Sequence, residues 1–136
     1  MDIEALEQQV IAHLAGVVSG AQIFGTFDTS ELVGESAPRL AVQVEYQGFD
    51  TLENRPQAVS LAPTFAVHFI VDAARARATE RAAAQAGQAA AIKRLLAWPD
   101  TRLRAEIRAS PAQPFDGRTV RLSVFFTLAP VLVTAD

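Results

Sequence analysis

The stretch from Thr79 to Trp98 constrains the fold more than any other. It is mostly alanine with arginine, glutamine and one lysine, and it closes on Ile92, Leu95, Leu96 and Trp98. Alanine carries the lowest intrinsic cost in a helix, and a run of this length reaches about 30 Å as a single helix. Small side chains let such a helix lie close to a sheet, and Pro99 bars its continuation. No nucleophile, metal-ligand cluster or phosphate loop accompanies it. The expectation is a structural subunit and not an enzyme.

The segments on either side read as strands, which makes the alanine helix a cover for a sheet. Leu40, Val42, Val44 and Tyr46 alternate with Ala41, Gln43, Glu45 and Gln47, a period of two that marks a half-buried strand. Thr64 to Val71 is apolar on both sides of the alternation, with Phe65, Val67, Phe69 and Val71 on one face and Ala66, His68 and Ile70 on the other, so it belongs inside the sheet. Between them, Gly48 to Pro63 breaks the pattern and reads as an excursion, with Ala58 to Leu61 as a brief edge. Arg102 to Ala109 alternates again. Ser110, Pro111, Pro114, Asp116 and Gly117 make a turn-rich connection, and Arg118 to Leu128 forms a last strand in a hairpin with its predecessor.

At the amino-terminal end, Ile3, Leu6, Val10 and Leu14 repeat at helical spacing, and Gly16 suits the left-handed turn that ends a helix. A short strand is expected around Gln22 to Asp28, and Thr29 to Ala37 reads as a loop. The order helix, strand, strand, strand, helix, strand, strand implies an α+β fold: a mainly antiparallel sheet of about four to five strands with two helices packed on one face, in a single domain spanning residues 1–136.

Composition removes several function classes. With 136 residues, half of them apolar, the chain can bury a core without metal or disulfides, and having no cysteine it can make neither a disulfide nor a thiolate site. A formal net charge of −3 offers no electrostatic footprint for nucleic acid. Met1 to Glu7 holds three acids and no base, unlike a secretory signal, and no apolar run reaches transmembrane length, so a soluble protein made in the cytoplasm is expected.

The reactive residue types are dispersed. His68 and Asp72 share a strand face about 13 Å apart, beyond hydrogen-bond reach, and His13 sits at the boundary of the first helix's apolar stripe. Asp28, Glu31, Glu35, Asp50 and Glu53 fall in or beside loops. Carboxylates suit hard cations, but this spacing matches no calcium loop, and solvated acids are the simpler reading. Gly16, Gly20 and Gly25 form no phosphate cradle. No catalytic, cofactor or metal residue is expected, and no cofactor.

Interface candidates stand out more. Arg102, Arg104 and Arg108 fall on one strand face, in addition to Arg75, Arg77 and Arg81. A solvated, salt-bridged face accounts for the row, and so does an acidic neighbour subunit, since arginine suits interface ion pairs. Phe125 interrupts a polar strand face marked by Arg121, Ser123 and Thr127, so either a helix or a partner covers it. Val131, Leu132 and Val133 leave an apolar tail of a kind that docks on something.

The leading helix Ile3 to Leu14, the strand Pro38 to Tyr46, the aromatic strand Phe65 to Val71, the alanine helix ending at Ile92 to Trp98 and the closing strand Arg121 to Leu128 together resemble the tail terminator proteins of tailed bacteriophages. The likeness is to the Mu-like minor tail proteins and, more distantly, to the lambda-type terminator. It rests on pattern across nearly the whole chain and not on a catalytic signature. It implies a virion subunit, assembled in the host cytoplasm, that forms a ring, usually hexameric, on the head-proximal end of the tail tube. Such a ring stops tube polymerisation and offers a joining surface to the head connector. The implied partners are further copies of the chain, the tail tube protein and the head–tail connector protein. DNA passes only as cargo, and no membrane is involved. A closed ring of identical subunits needs two different complementary patches on each copy. The arginine row and the acids Glu31, Glu35, Asp50 and Glu53 are candidates for that pair. The alternatives are another neck or head–tail joining protein, the matching subunit of a nonviral contractile injection apparatus, and a small ligand-binding or enzyme α+β domain using a pocket between the alanine helix and the sheet.

Overall fold

In a computed structural model, which describes residues 2–32, 37–98, 106–109, 113–114 and 118–135, the first helix α1 runs Ile3–His13. Asp2 caps it by accepting the Ala5 N–H at 3.0 Å, supplying one of the donors a helix start leaves unpaired. Gly16, at φ +83°, turns the chain away after the last turn. The alanine helix α2 spans Ala78–Leu96. Its start is held by the Glu80 carboxylate, which accepts the Arg77 N–H at 2.9 Å.

The strands are β1 (Ile23–Phe24), β2 (Leu40–Arg55), β3 (Ala58–Asp72), β4 (Glu106–Ala109), β5 (Gln113–Pro114), β6 (Thr119–Thr127) and β7 (Val131–Thr134). They form one sheet in the order β1-β2-β3-β6-β4, with β5 also on β6 and β7 on β3. Only β1 pairs parallel, to Val42 and Gln43 of β2, and the sheet is otherwise antiparallel. Val42, Val44, Phe65, Val67, Phe69, Val71, Val124 and Phe126 carry the helix-side face, and Val10 and Leu14 of α1 with Ala84, Ala91 and Leu95 of α2 close over it. The α+β reading with both helices on one face therefore holds. A smaller cluster of Phe24, Leu32, Ala41 and Ile70 lies on the opposite face, under the chain from β1 to the short 3-10 helix Thr29–Leu32.

The helices are tied to each other as well as to the sheet. His13 stacks on Trp98 with ring centroids 4.3 Å apart, and its Nε2 lies 2.6 Å from the Arg94 carbonyl. Arg94 in turn donates to the carbonyls of His13 and Ala15. The boundary histidine is thus a clasp between helix ends.

Two sequence readings are corrected. The excursion from Gly48 to Pro63 is instead the outer half of a long β2–β3 hairpin, paired from Tyr46/Phe65 to Arg55/Ala58. Its period is hidden by irregularities between Tyr46 and Phe49 and between Thr51 and Glu53, because each extra residue in a bulge flips the alternation. Gly48 takes φ +101° at the first of them, and Pro56 with Gln57 makes the tip. Pro63 does not break β3, since its carbonyl accepts the Leu128 N–H at 2.8 Å where β6 gives way to β7. The second correction concerns the apolar tail, which docks on its own chain: Val131–Thr134 pairs with Leu61–Ala58. The early strand is also shorter than the Gln22 to Asp28 expected. Among the described residues no helix is long and apolar enough to cross a membrane.

Candidate functional site

The sheet face turned away from the helices carries the polar chemistry. Antiparallel register sets Gln43, His68 and Ser123 in one row across β2, β3 and β6, and Glu45, Ala66 and Phe125 in the next. His68 is fully buried, and its Nδ1 lies 2.6 Å from Ser123 Oγ while its Nε2 lies 3.1 Å from Glu45 Oε1. The serine is a direct cross-strand neighbour and the glutamate a diagonal one, a span its longer side chain covers. Gln47 donates to the same Glu45 oxygen at 3.0 Å. The hydrogen bond from His68 comes first among the causes that pull the Glu45 carboxyl down to about 2, with Gln47, the imidazole charge and Arg121 adding to it against a burial cost. Phe125 meets His68 edge-on at 6.1 Å between ring centroids.

These are the residue types of an acid–base–nucleophile chain, yet their setting is that of a structural network. Ser123 is 2% exposed on a regular mid-strand position, so no acyl group can approach its hydroxyl while the face stays closed. Sequence reasoning assigned His68 no partner. Its partners lie 23 and 55 residues away, and only strand register brings them together. The signal available in sequence was the run of polar residues on the second face of β2, opposite a histidine in an otherwise apolar strand.

A second network closes the end of β3. Asp72, 2% exposed, accepts the Arg75 Nε at 2.7 Å, the Arg118 Nε at 2.9 Å and the backbone N–H groups of Ala74 and Arg75. Arg75 also donates to the Ala37 carbonyl at 2.6 Å. The bonds from Arg75 foremost hold the Asp72 carboxyl well below the usual carboxylate range. This aspartate and Arg75 therefore serve the strand-to-helix turn. A third network joins α1 to the sheet edge: buried Glu7 accepts from the Thr26 N–H and hydroxyl, and the same hydroxyl accepts the Tyr46 N–H at 2.8 Å. Neither network was anticipated.

The expected interface residues do not gather at one place. Glu31 is exposed on the 3-10 helix, whereas Glu35, Arg102 and Arg104 lie outside the described residues. Asp50 and Glu53, expected in a loop, are exposed on β2, because the hairpin continues through them; Glu53 pairs with Arg55 at 2.6 Å. Residue Arg108 is on β4, in register with Phe125. Phe125 is not covered by a helix, since it lies on the face opposite α1 and α2. It is half-buried beside a groove lined by Gln47, Asp50, Thr64 and Phe126. The largest open groove runs between Ser19–Ala21, Pro38–Leu40 and the start of α2, and holds no convergent polar cluster. Among the described residues no group of three or more histidine, aspartate or glutamate side chains is placed to hold a metal.

What projects most is the outer hairpin. Residues 49–57 are exposed throughout, and Phe49, Leu52 and Leu132 remain 51%, 57% and 66% exposed on the three-stranded arm of β2, β3 and β7. Phe27, 96% exposed, follows Thr26 at the base of that arm. No protein-family model matches the chain, and no curated protein matches it in sequence.

Proposed function

We propose that the chain is a structural subunit of a phage-type tail. Copies form a ring, hexameric by the resemblance, on the head-proximal end of the tail tube, end its polymerisation and present the joining surface to the head connector. The observation that carries this reading is the arm: a rigid three-stranded extension beyond the helix-covered sheet, with large apolar side chains left in water. Such exposure is rare on a protein that works alone and marks a surface that another protein covers. The polar networks of this chain support the reading too, because each is spent on joining elements and none opens on a cleft able to hold a substrate.

Light scattering on the purified protein, followed by negative-stain images with and without tail tube protein, tests it. The expected result is a closed ring, either preformed or assembled when tube is added, and tubes of arrested length. A monomer or dimer that ignores the tube overturns the reading and directs attention to the groove beside Phe125, through a small-molecule thermal-shift panel.

A further inference from the structure

The sheet ends in two open edges of opposite character. On the first side, β1 reaches only Val42 and Gln43, and the Thr26 hydroxyl takes the Tyr46 N–H. From Gln47 to Arg55, β2 then has no strand beside it among the described residues. This edge carries Asp50 and Glu53 and is bordered by the exposed Phe27, Phe49 and Leu52. On the other side, β4 and β5 lie along β6, and no described strand flanks them in turn. The sequence that enters and forms β4 holds Arg102, Arg104 and Arg108.

A regular strand edge with free backbone groups is a template for another strand. We infer that copies of the chain join edge to edge, β4 of one copy adding to the Gln47–Arg55 edge of β2 in the next. Direction allows it. Strands β2, β3, β6 and β4 alternate in sense, so a neighbour that continues the sheet by rotation brings its β4 antiparallel to β2, the more stable pairing per residue. Charge selects it. Joining β2 to β2 sets the acids Asp50 and Glu53 of two copies along one seam, and joining β4 to β4 gathers the arginines, whereas β2 to β4 matches acids with bases. The contact uses two different patches, so it is heterologous and closes a ring. The same step covers the apolar residues at the base of the arm. The inference rests on the chain being a self-assembling subunit and adds the surfaces through which it assembles.

The cysteine-free sequence makes the test direct. Within one copy, β2 and β4 stand three strand spacings apart, about 14 Å, beyond the roughly 7 Å that a disulfide can span between Cα atoms. Asp50→Cys and Arg108→Cys proteins are purified separately, mixed and oxidised with copper-phenanthroline. Glu53→Cys replaces Asp50→Cys to sample the adjacent register. A disulfide dimer that forms in the mixture and in neither single variant is the expected result. Dimers from one variant alone, or no mixed dimer from proteins with native circular dichroism, overturn the inference. As a second measurement, Arg108→Glu should lower the assembled fraction and the Asp50→Arg, Glu53→Arg background should restore it. Loss without restoration counts against edge pairing. A mixed disulfide with tubes of unregulated length would retain the inference and sink the tail reading, while capped tubes without the disulfide would do the reverse.

Discussion

Gly87 shows how one residue's role reverses once its neighbours are known. In an alanine-rich helix, glycine ordinarily costs about 1 kcal/mol relative to alanine. Here a Cβ would stand 2.7 Å from Phe69 Cε1 and 2.8 Å from Val18 Cγ2, contacts that a packed core does not yield without shifting. Gly87→Ala is therefore expected to destabilise the protein by about 1–3 kcal/mol, the usual range for overpacking. Urea unfolding compared with wild type checks it, and a gain in stability would mean that α2 sits farther from the sheet than this. His68 teaches the same lesson. In the sequence it is a lone histidine in an apolar strand, and in the fold it is a fully buried group with a partner on each ring nitrogen.

At the scale of elements, the β2–β3 hairpin decides the shape of the molecule. Its tip places Gln57 at φ +69°, a conformation that side chains other than glycine adopt at a cost of roughly 1–2 kcal/mol. Gln57→Gly relieves that cost and gives back part of it through the freer unfolded chain. The expected outcome is a net stabilisation of up to about 1 kcal/mol, read as a raised thermal midpoint with unchanged far-ultraviolet dichroism. The alternating halves of β2 and β3 were legible because one face is buried by helices and the other is largely polar. The outer halves were not, since bulges cancel the period and both faces there meet solvent. The helices were readable almost to the residue: α1 was expected over Asp2 to Ala15 and spans Ile3–His13, and α2 was expected from Thr79 to Trp98 and spans Ala78–Leu96.

For the whole molecule, two lowered carboxyl groups tie stability to pH. The Glu45 carboxyl falls from its ordinary 4.5 to about 2 in the folded protein, and that of Asp72 is also lowered. A depressed folded-state value means that the unfolded chain binds the proton more readily, so the contribution is complete above about 4.5 and is lost as the pH falls toward about 2. Unfolding free energy should therefore drop between neutral pH and about pH 3, and Glu45→Gln should flatten that fall while keeping an acceptor for His68. An unchanged slope in the variant would show that Glu45 does not carry its share. Neutral pH is thus where the sheet face opposite the helices is held most firmly, the condition under which edge pairing between copies is to be measured.

The sequence by itself determined the α+β class, the two helices with their ends, the central place of Phe65–Val71 and the absence of thiol chemistry. These follow from local periodicity, propensity and composition, which need no knowledge of distant residues. Tertiary structure alone decided that Asp50 and Glu53 lie on an open strand edge, that the apolar tail pairs with its own hairpin and that Glu45, His68 and Ser123 meet. Each of those depends on strand register, and a shift of one residue would send every side chain concerned to the opposite face.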